Sequence, residues 1–141
     1  MRVIEGALGR VWYLPEPYLV TQAKVTEYAD ALAYRSPDPK LAPPTFGAIL
    51  SAKTWGLLFD EEDLDLRLDR TIQVDQRFTW GRPMRVGDQV ITSVRVDAVR
   101  MRENSAFITV TAHSVTVERE FLCDDTSTLL HTWPAADGTA L

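Results

Sequence analysis

The sequence predicts an α+β domain in which a long antiparallel sheet wraps around one central helix. Three observations carry this expectation. The run from Phe46 to Phe59 is apolar or small almost throughout, with Lys53 its only charge, and a helix apolar on most of its sides is a buried one. From Thr71 onward the hydrophobic pattern changes to period two, in stretches separated by polar turns, which is the signature of strands. Helical patterns fill the first half and strands the second, without the alternation that builds a parallel sheet.

Bulk properties set the frame. A chain of 141 residues fits one domain (1–141), with a core expected over about 9–133 and a frayed tail over 134–141. Hydrophobic residues make up 45% and charged residues 25%, the proportions of a folded domain in water. The net charge is −5, and the densest cationic stretch, Arg95 to Arg102, is interrupted by Asp97. A surface that tracks nucleic-acid phosphates is therefore not expected. Cys123 is the only cysteine. It reads as a buried structural thiol in a reducing, cytoplasmic setting, with no ligand set for a metal and no cofactor expected. The opening Met1-Arg2-Val3-Ile4-Glu5-Gly6 has no signal-peptide core, and no apolar run reaches membrane-spanning length, so no membrane partner is expected.

The elements follow in order. Gly9 to Val20, rich in aromatics and punctuated by Pro15 and Pro17, is an extended lead-in with one short strand. Thr21 is a helix N-cap; behind it Val25, Tyr28, Ala29 and Leu32 share one helical face. Ser36-Pro37-Asp38-Pro39 must end that helix, because proline cannot extend the hydrogen-bond ladder. The central helix begins within Pro43-Pro44-Thr45-Phe46-Gly47 and closes in a solvated loop, Asp60-Glu61-Glu62-Asp63.

In the first strand Ile72, Val74, Gln76, Phe78 and Trp80 share a face. Gly87-Asp88 is a turn, after which Val90, Thr92, Val94, Val96 and Ala98 alternate against Ile91, Ser93, Arg95 and Asp97. Arg102–Ser105 and Glu118–Glu120 are turns around a third strand, Phe107 to Val117, and the last strand runs from about Phe121 to Trp133. One helix under a long twisted meander is the hot-dog arrangement. A single helix cannot cover the whole of such a sheet, so the architecture predicts a dimer.

Several segments resemble the MaoC-like hydratases and dehydratases. They are Gly9-Arg10-Val11 with Pro17 to Thr21 and Tyr28-Ala29, then Ala42-Pro43-Pro44-Thr45-Phe46, Val74-Asp75-Gln76-Arg77-Phe78, and Arg82-Pro83-Met84-Arg85-Val86-Gly87-Asp88. The last is similar to the family's Pro-x-x-x-Gly-Asp turn. The resemblance spans about 9–133 and is greatest to the FAS1-like dehydratase subgroup. Within it the chain resembles the non-catalytic-type half of bacterial fatty-acid dehydratases, where two different hot-dog chains form one enzyme.

The resemblance implies a site, and the site is incomplete. The family signature Gly-Asp-x-Asn-Pro-x-His, laid on the residues after Tyr28-Ala29, places Tyr34 at the aspartate and Pro39 at the histidine. Adding water to an enoyl thioester, or removing it, needs a carboxylate and an imidazole converging on one water. A phenol with a reference pKa of ~10 is a poor base at neutral pH, and proline has no titratable group. No catalytic residue is therefore assigned.

The other titratable candidates are weaker. His113 and His131 lie in strands with no carboxylate spaced to orient them, and read as hydrogen-bonded or surface residues. Asp88 reads as turn chemistry. Thioester hydrolysis by a hot-dog domain needs an acid on the central helix or in the loop before it; the helix offers Ser51, Lys53 and Thr54, and only Asp38 lies upstream.

What remains for a substrate is the helix start and its apolar run. Thr45, Phe46 and Gly47 would present free backbone N–H groups to a thioester carbonyl or phosphopantetheine, and Gly47 would let a ligand approach closely. Ile49, Leu50 and Trp55 would line a tunnel for an acyl chain. An ordinary helix start and simple core packing explain the same residues equally well or better.

Three functions stand in order. The first is a substrate-accommodating subunit of a heterodimeric (3R)-hydroxyacyl-ACP or -CoA dehydratase, completed by a catalytic MaoC-like subunit. The second is a homodimeric, non-catalytic protein that binds acyl thioesters or another apolar ligand. The third is an independent enzyme that uses Tyr34, Asp38 or His113.

Overall fold

The computed structural model describes residues 2–135. Within that range the expected α+β arrangement is present: one central helix under a six-stranded antiparallel sheet. Helix α1 (Val3–Gly6) leads into β1 (Val11–Tyr13) and β2 (Tyr18–Leu19). Helix α2 (Gln22–Ala31), the central helix α3 (Ala48–Asp60) and two short 3-10 turns come next. The long strands are β3 (Thr71–Trp80), β4 (Gln89–Arg102), β5 (Ser105–Thr116) and β6 (Phe121–Thr132). The order across the sheet is β1-β4-β5-β6-β3, with β2 also on β4, so among the described residues β3 is the long edge strand and the short β1 and β2 form the other edge.

Local chemistry sets the helix ends. The Thr21 hydroxyl accepts a hydrogen bond from Lys24 N at 3.2 Å, satisfying one of the free donors of the first turn. We expect Thr21→Ala to cost about 1 kcal/mol, measured as a lowered urea midpoint with an unchanged slope. Helix α2 stops at Ala31, before the prolines that were expected to end it, because Ala33 turns the chain with φ 52°. Only Val25 of its expected face is fully buried; Leu32 is the exposed cap. The lead-in holds two short strands where one was expected.

The interior reaches back beyond residue 9, since Ile4 and Ala7 are fully buried. Two apolar clusters flank α3. Leu58 packs with Val94, Val96, Ile108, Val110 and Leu129, while Phe46 and Leu50 pack with Val20, Val25, Met84, Val90 and Leu122. Buried Ser51 and Thr54 sit between those two ends of the helix, and buried Asp125 and Ser127 occupy the inward face of β6. The expectation that α3 is buried on most sides is corrected: Leu50, Ser51, Thr54 and Leu58 are buried, but Ile49, Trp55, Leu57 and Phe59 remain half-exposed. One sheet face covers one helix face, and the rest of this apolar surface is uncovered within the chain.

Two bulges also correct the expected strand faces, because each extra residue flips the side chains beyond it. The register shifts between Gln73 and Asp75, so Ile72, opposite Leu130, leaves the face of Gln76, Phe78 and Trp80. A second shift between Val96 and Ala98 exposes Ala98. The Gly87-Asp88 turn is held as expected. Asp88 accepts from Arg85 N at 2.9 Å and is gripped by two nitrogens of Arg82 at 2.9 and 3.0 Å. Burial pushes the Asp88 carboxyl up, but these donors outweigh it and hold it below the ordinary value. Of the tail expected to fray, residues 136–141 lie outside those described.

Candidate functional site

An apolar cavity of about 370 Å³ occupies the place where the loop after α2 meets the start of the central-helix segment. Its walls are Tyr34, Ser36 and Pro37 from the loop, Leu41 to Pro44 from the approach to α3, and Trp80 and Pro83 from the end of β3. The loop is clipped in place by backbone bonds to the segment after β3, Ala42 N to Met84 O at 2.8 Å and Val86 N to Lys40 O at 2.9 Å. Gly81 makes that path possible. Its N–H donates to Leu122 O at 2.7 Å, and a Cβ there would stand 2.5 Å from Phe121 O, inside any real contact distance.

No carboxylate or imidazole lines the cavity; its hydroxyl groups are the Tyr34 phenol and the Ser36 side chain. Asp38, the nearest acid in sequence, is committed to its own loop. Its Oδ1 accepts from Lys40 N at 3.0 Å, and its backbone is bonded to the Ser36 hydroxyl. Pro39 lines an adjoining hollow of about 160 Å³ with Tyr34 and Ser36, and its carbonyl accepts from Gln22. Tyr34 and Pro39, the positions that the family resemblance aligns with its aspartate and histidine, thus line the same hollow.

The six residues expected to bind substrate are not brought together. Thr45 is exposed and bonded to the Tyr28 hydroxyl at 2.9 Å. Phe46 and Leu50 are wholly inside the core. The space over Gly47, which was expected to admit a ligand, is filled by Cys123 Sγ and Trp80 at 3.5 Å and Phe78 at 3.6 Å. Ile49 sits against the cluster around Phe46, and Trp55 against the other one. The side chain that joins loop and helix start into a cavity is Trp80, and no local pattern in the sequence marks it.

The remaining titratable groups divide clearly. Cys123 is buried, and burial foremost, with Asp125 and Asp124 nearby, pushes its thiol up to about 12, which makes it inert. His131 is buried, and its Nε2 accepts from Arg67 N at 2.9 Å; desolvation lowers its pKa. His113 does have an orienting carboxylate, contrary to expectation: its Nδ1 lies 2.6 Å from Asp124 Oδ1, across the β5–β6 hairpin. Asp125 is 3% exposed. One of its oxygens meets Ser51 and Gln76, and the other has no partner. Among the described residues no group of three metal-ligating side chains occurs, and no helix is long and apolar enough to cross a membrane.

The central helix, the long meander and the cavity beside the helix start define a hot-dog domain of the MaoC-like dehydratase class. The chain belongs to the family described as FAS1-like, dehydratase domain region, whose model matches residues 7–124. It is 42% identical to a UPF0336 protein of Cutibacterium acnes, over 95% of this chain and 97% of that one. A UPF0336 protein of Saccharopolyspora erythraea is 36% identical over 97% and 96%. Among solved structures it is similar to a chain of the HadBC (3R-hydroxyacyl-ACP dehydratase) complex of Mycobacterium tuberculosis. There the TM-score is 0.77 at 22% identity, with 88% of this chain and 96% of that one covered. A MaoC-like dehydratase gives a TM-score of 0.80 at 23% identity, over 95% of this chain and 44% of that one. At these identities the structures share the fold.

Proposed function

We propose that this chain is the substrate-accommodating, catalytically incomplete subunit of a heterodimeric (3R)-hydroxyacyl-ACP or -CoA dehydratase. A second MaoC-like hot-dog chain supplies the aspartate and the histidine. One observation carries the reading: the cavity at Tyr34 is shaped for apolar groups and is lined by no acid or base. A pocket walled by Leu41, Ala42, prolines and Trp80 stabilises an acyl chain by removing it from water, at roughly 25 cal/mol per Å² buried. It offers nothing to move a proton.

The need for a partner follows from what the chain leaves exposed. Ile72 and Val74 are 63% and 48% exposed on the free edge strand, and half of an apolar helix is uncovered. Unpaired apolar edges are a hazard that proteins cover. A second hot-dog chain laid along β3 would bury both.

The test is reconstitution. The chain is purified alone, and together with a MaoC-like subunit carrying an intact Gly-Asp-x-Asn-Pro-x-His segment, and each sample is assayed for hydration of a crotonyl thioester. Turnover is expected only from the stable complex. An inactive or unassociated mixture rejects the proposal. Should the chain alone form a symmetric dimer that binds acyl thioesters unchanged, the homodimeric binding protein takes its place.

A further inference from the structure

The outer face of the sheet, away from α3, holds a second cluster that the proposed dehydratase role does not use. The strand register aligns Ser93 opposite His113 and His113 opposite Asp124. Serine, histidine and aspartate therefore stand in one row on neighbouring strands β4, β5 and β6. His113 Nδ1 and Asp124 Oδ1 are 2.6 Å apart, and the ring stacks on Phe121 with centroids 5.6 Å apart. A carboxylate on Nδ1 orients the ring, so that Nε2 is the nitrogen not engaged by Asp124. Ser93 lies on the far side of His113 from Asp124. It is only 8% exposed, yet its side chain lines a cleft of about 300 Å³ together with Val11, Tyr13, Arg95, Thr111 and the His113–Asp124 pair.

An imidazole held at both its edge and its face is more constrained than a solvated strand histidine needs to be. We propose that this row is an acyl-transfer site for small activated esters or thioesters, with Ser93 as nucleophile, His113 as its base and Asp124 as the residue that positions the imidazole. Ser93 Oγ forms a bond to the acyl carbon, and its proton passes to His113 Nε2. The bond from that carbon to the leaving oxygen or sulfur breaks, and His113 returns the proton to the leaving group. Water then repeats the sequence on the acyl-serine, releasing the acid and regenerating the hydroxyl. Asp124 stays ionised throughout. Arg95 on the cleft wall is paired through Nε with Asp97 Oδ1 at 2.5 Å, and its remaining guanidinium N–H groups are the donors assigned to the oxyanion formed in each half.

The proposal is independent of the cavity at Tyr34, and its test needs this chain alone. The purified chain is treated with a fluorophosphonate probe, which phosphonylates an activated serine with loss of fluoride, and peptides are mapped by mass spectrometry. The expected adduct is on Ser93, absent in Ser93→Ala, and about 100-fold slower to form in His113→Gln. Asp124→Asn should slow it as well, with the melting temperature kept as a check on the fold. Hydrolysis of p-nitrophenyl acetate should lose kcat in step with labelling across the same variants. A Ser93 peptide that stays unmodified under excess probe overturns the proposal. So does labelling at the same rate in His113→Gln, which would mark ordinary hydroxyl reactivity. Neither outcome bears on whether the chain completes a dehydratase.

Discussion

Replacing Phe46 by alanine is expected to destabilise the chain by about 3–5 kcal/mol, the range for deleting a large aromatic from a close-packed core. Phe46 is fully buried at the entry to α3. Its ring meets Tyr28 edge-on with centroids 5.4 Å apart, and it packs in the cluster with Val20, Val25, Leu50, Met84 and Leu122. These neighbours come from α2, α3, β6 and the segments around them, which are fixed by separate hydrogen-bond ladders and cannot close together over the hole. The loss therefore includes a cavity term as well as the transfer term. Since domains are stable by only about 5–15 kcal/mol, the variant should unfold at a much lower urea concentration. Phe46→Leu, which keeps most of the volume, should lose considerably less. Equal losses would mean that the site collapses freely and is not the joint between α2 and α3.

Features written in neighbouring residues were legible in the sequence, and features made by pairing were not. The Thr21 cap, the Gly87-Asp88 turn and the period-two pattern of β4 and β5 depend on local spacing, and the sequence shows them. Residues 74 and 97 are different. A bulge is an agreement between two strands, so nothing near Val74 announces that Ile72 will face outward. The cavity brings Tyr34 against Trp80, and the outer row brings His113 to Asp124, only after the sheet has formed. The apolar run at 46–59 predicts a buried helix because hydrophobicity reports what must be covered. It does not report whether this chain or another covers it. Phe46 and Leu50 looked the same as Ile49 and Trp55 in the sequence, yet the first pair fills the core and the second borders open surface.

Asp125→Asn is expected to remove a pH dependence of stability, because the amide keeps the shape of the side chain and cannot ionise. Burial raises the Asp125 carboxyl above its ordinary value, against the lowering effect of Ser51 and Gln76. Its second oxygen finds no partner. The oxygen that does have partners accepts from the Ser51 hydroxyl and from Gln76 Nε2 at 2.9 Å, and Ser51 Oγ also lies 3.2 Å from Gly47 O. The sign follows from proton linkage. With the folded carboxyl holding its proton to higher pH than the unfolded one, stability is greatest below the unfolded value and falls as pH rises towards the folded one. His131 works in the opposite direction. Its folded pKa is lowered by desolvation, so its contribution is present above the unfolded value and is lost as pH drops through the range below it. The two groups together confine the native state from both sides. Urea denaturation at stepped pH should show the upper slope disappear in Asp125→Asn while the acid-side loss from His131 persists. If the upper slope survives the substitution, the buried carboxyl of β6 is not the group that loses its proton there.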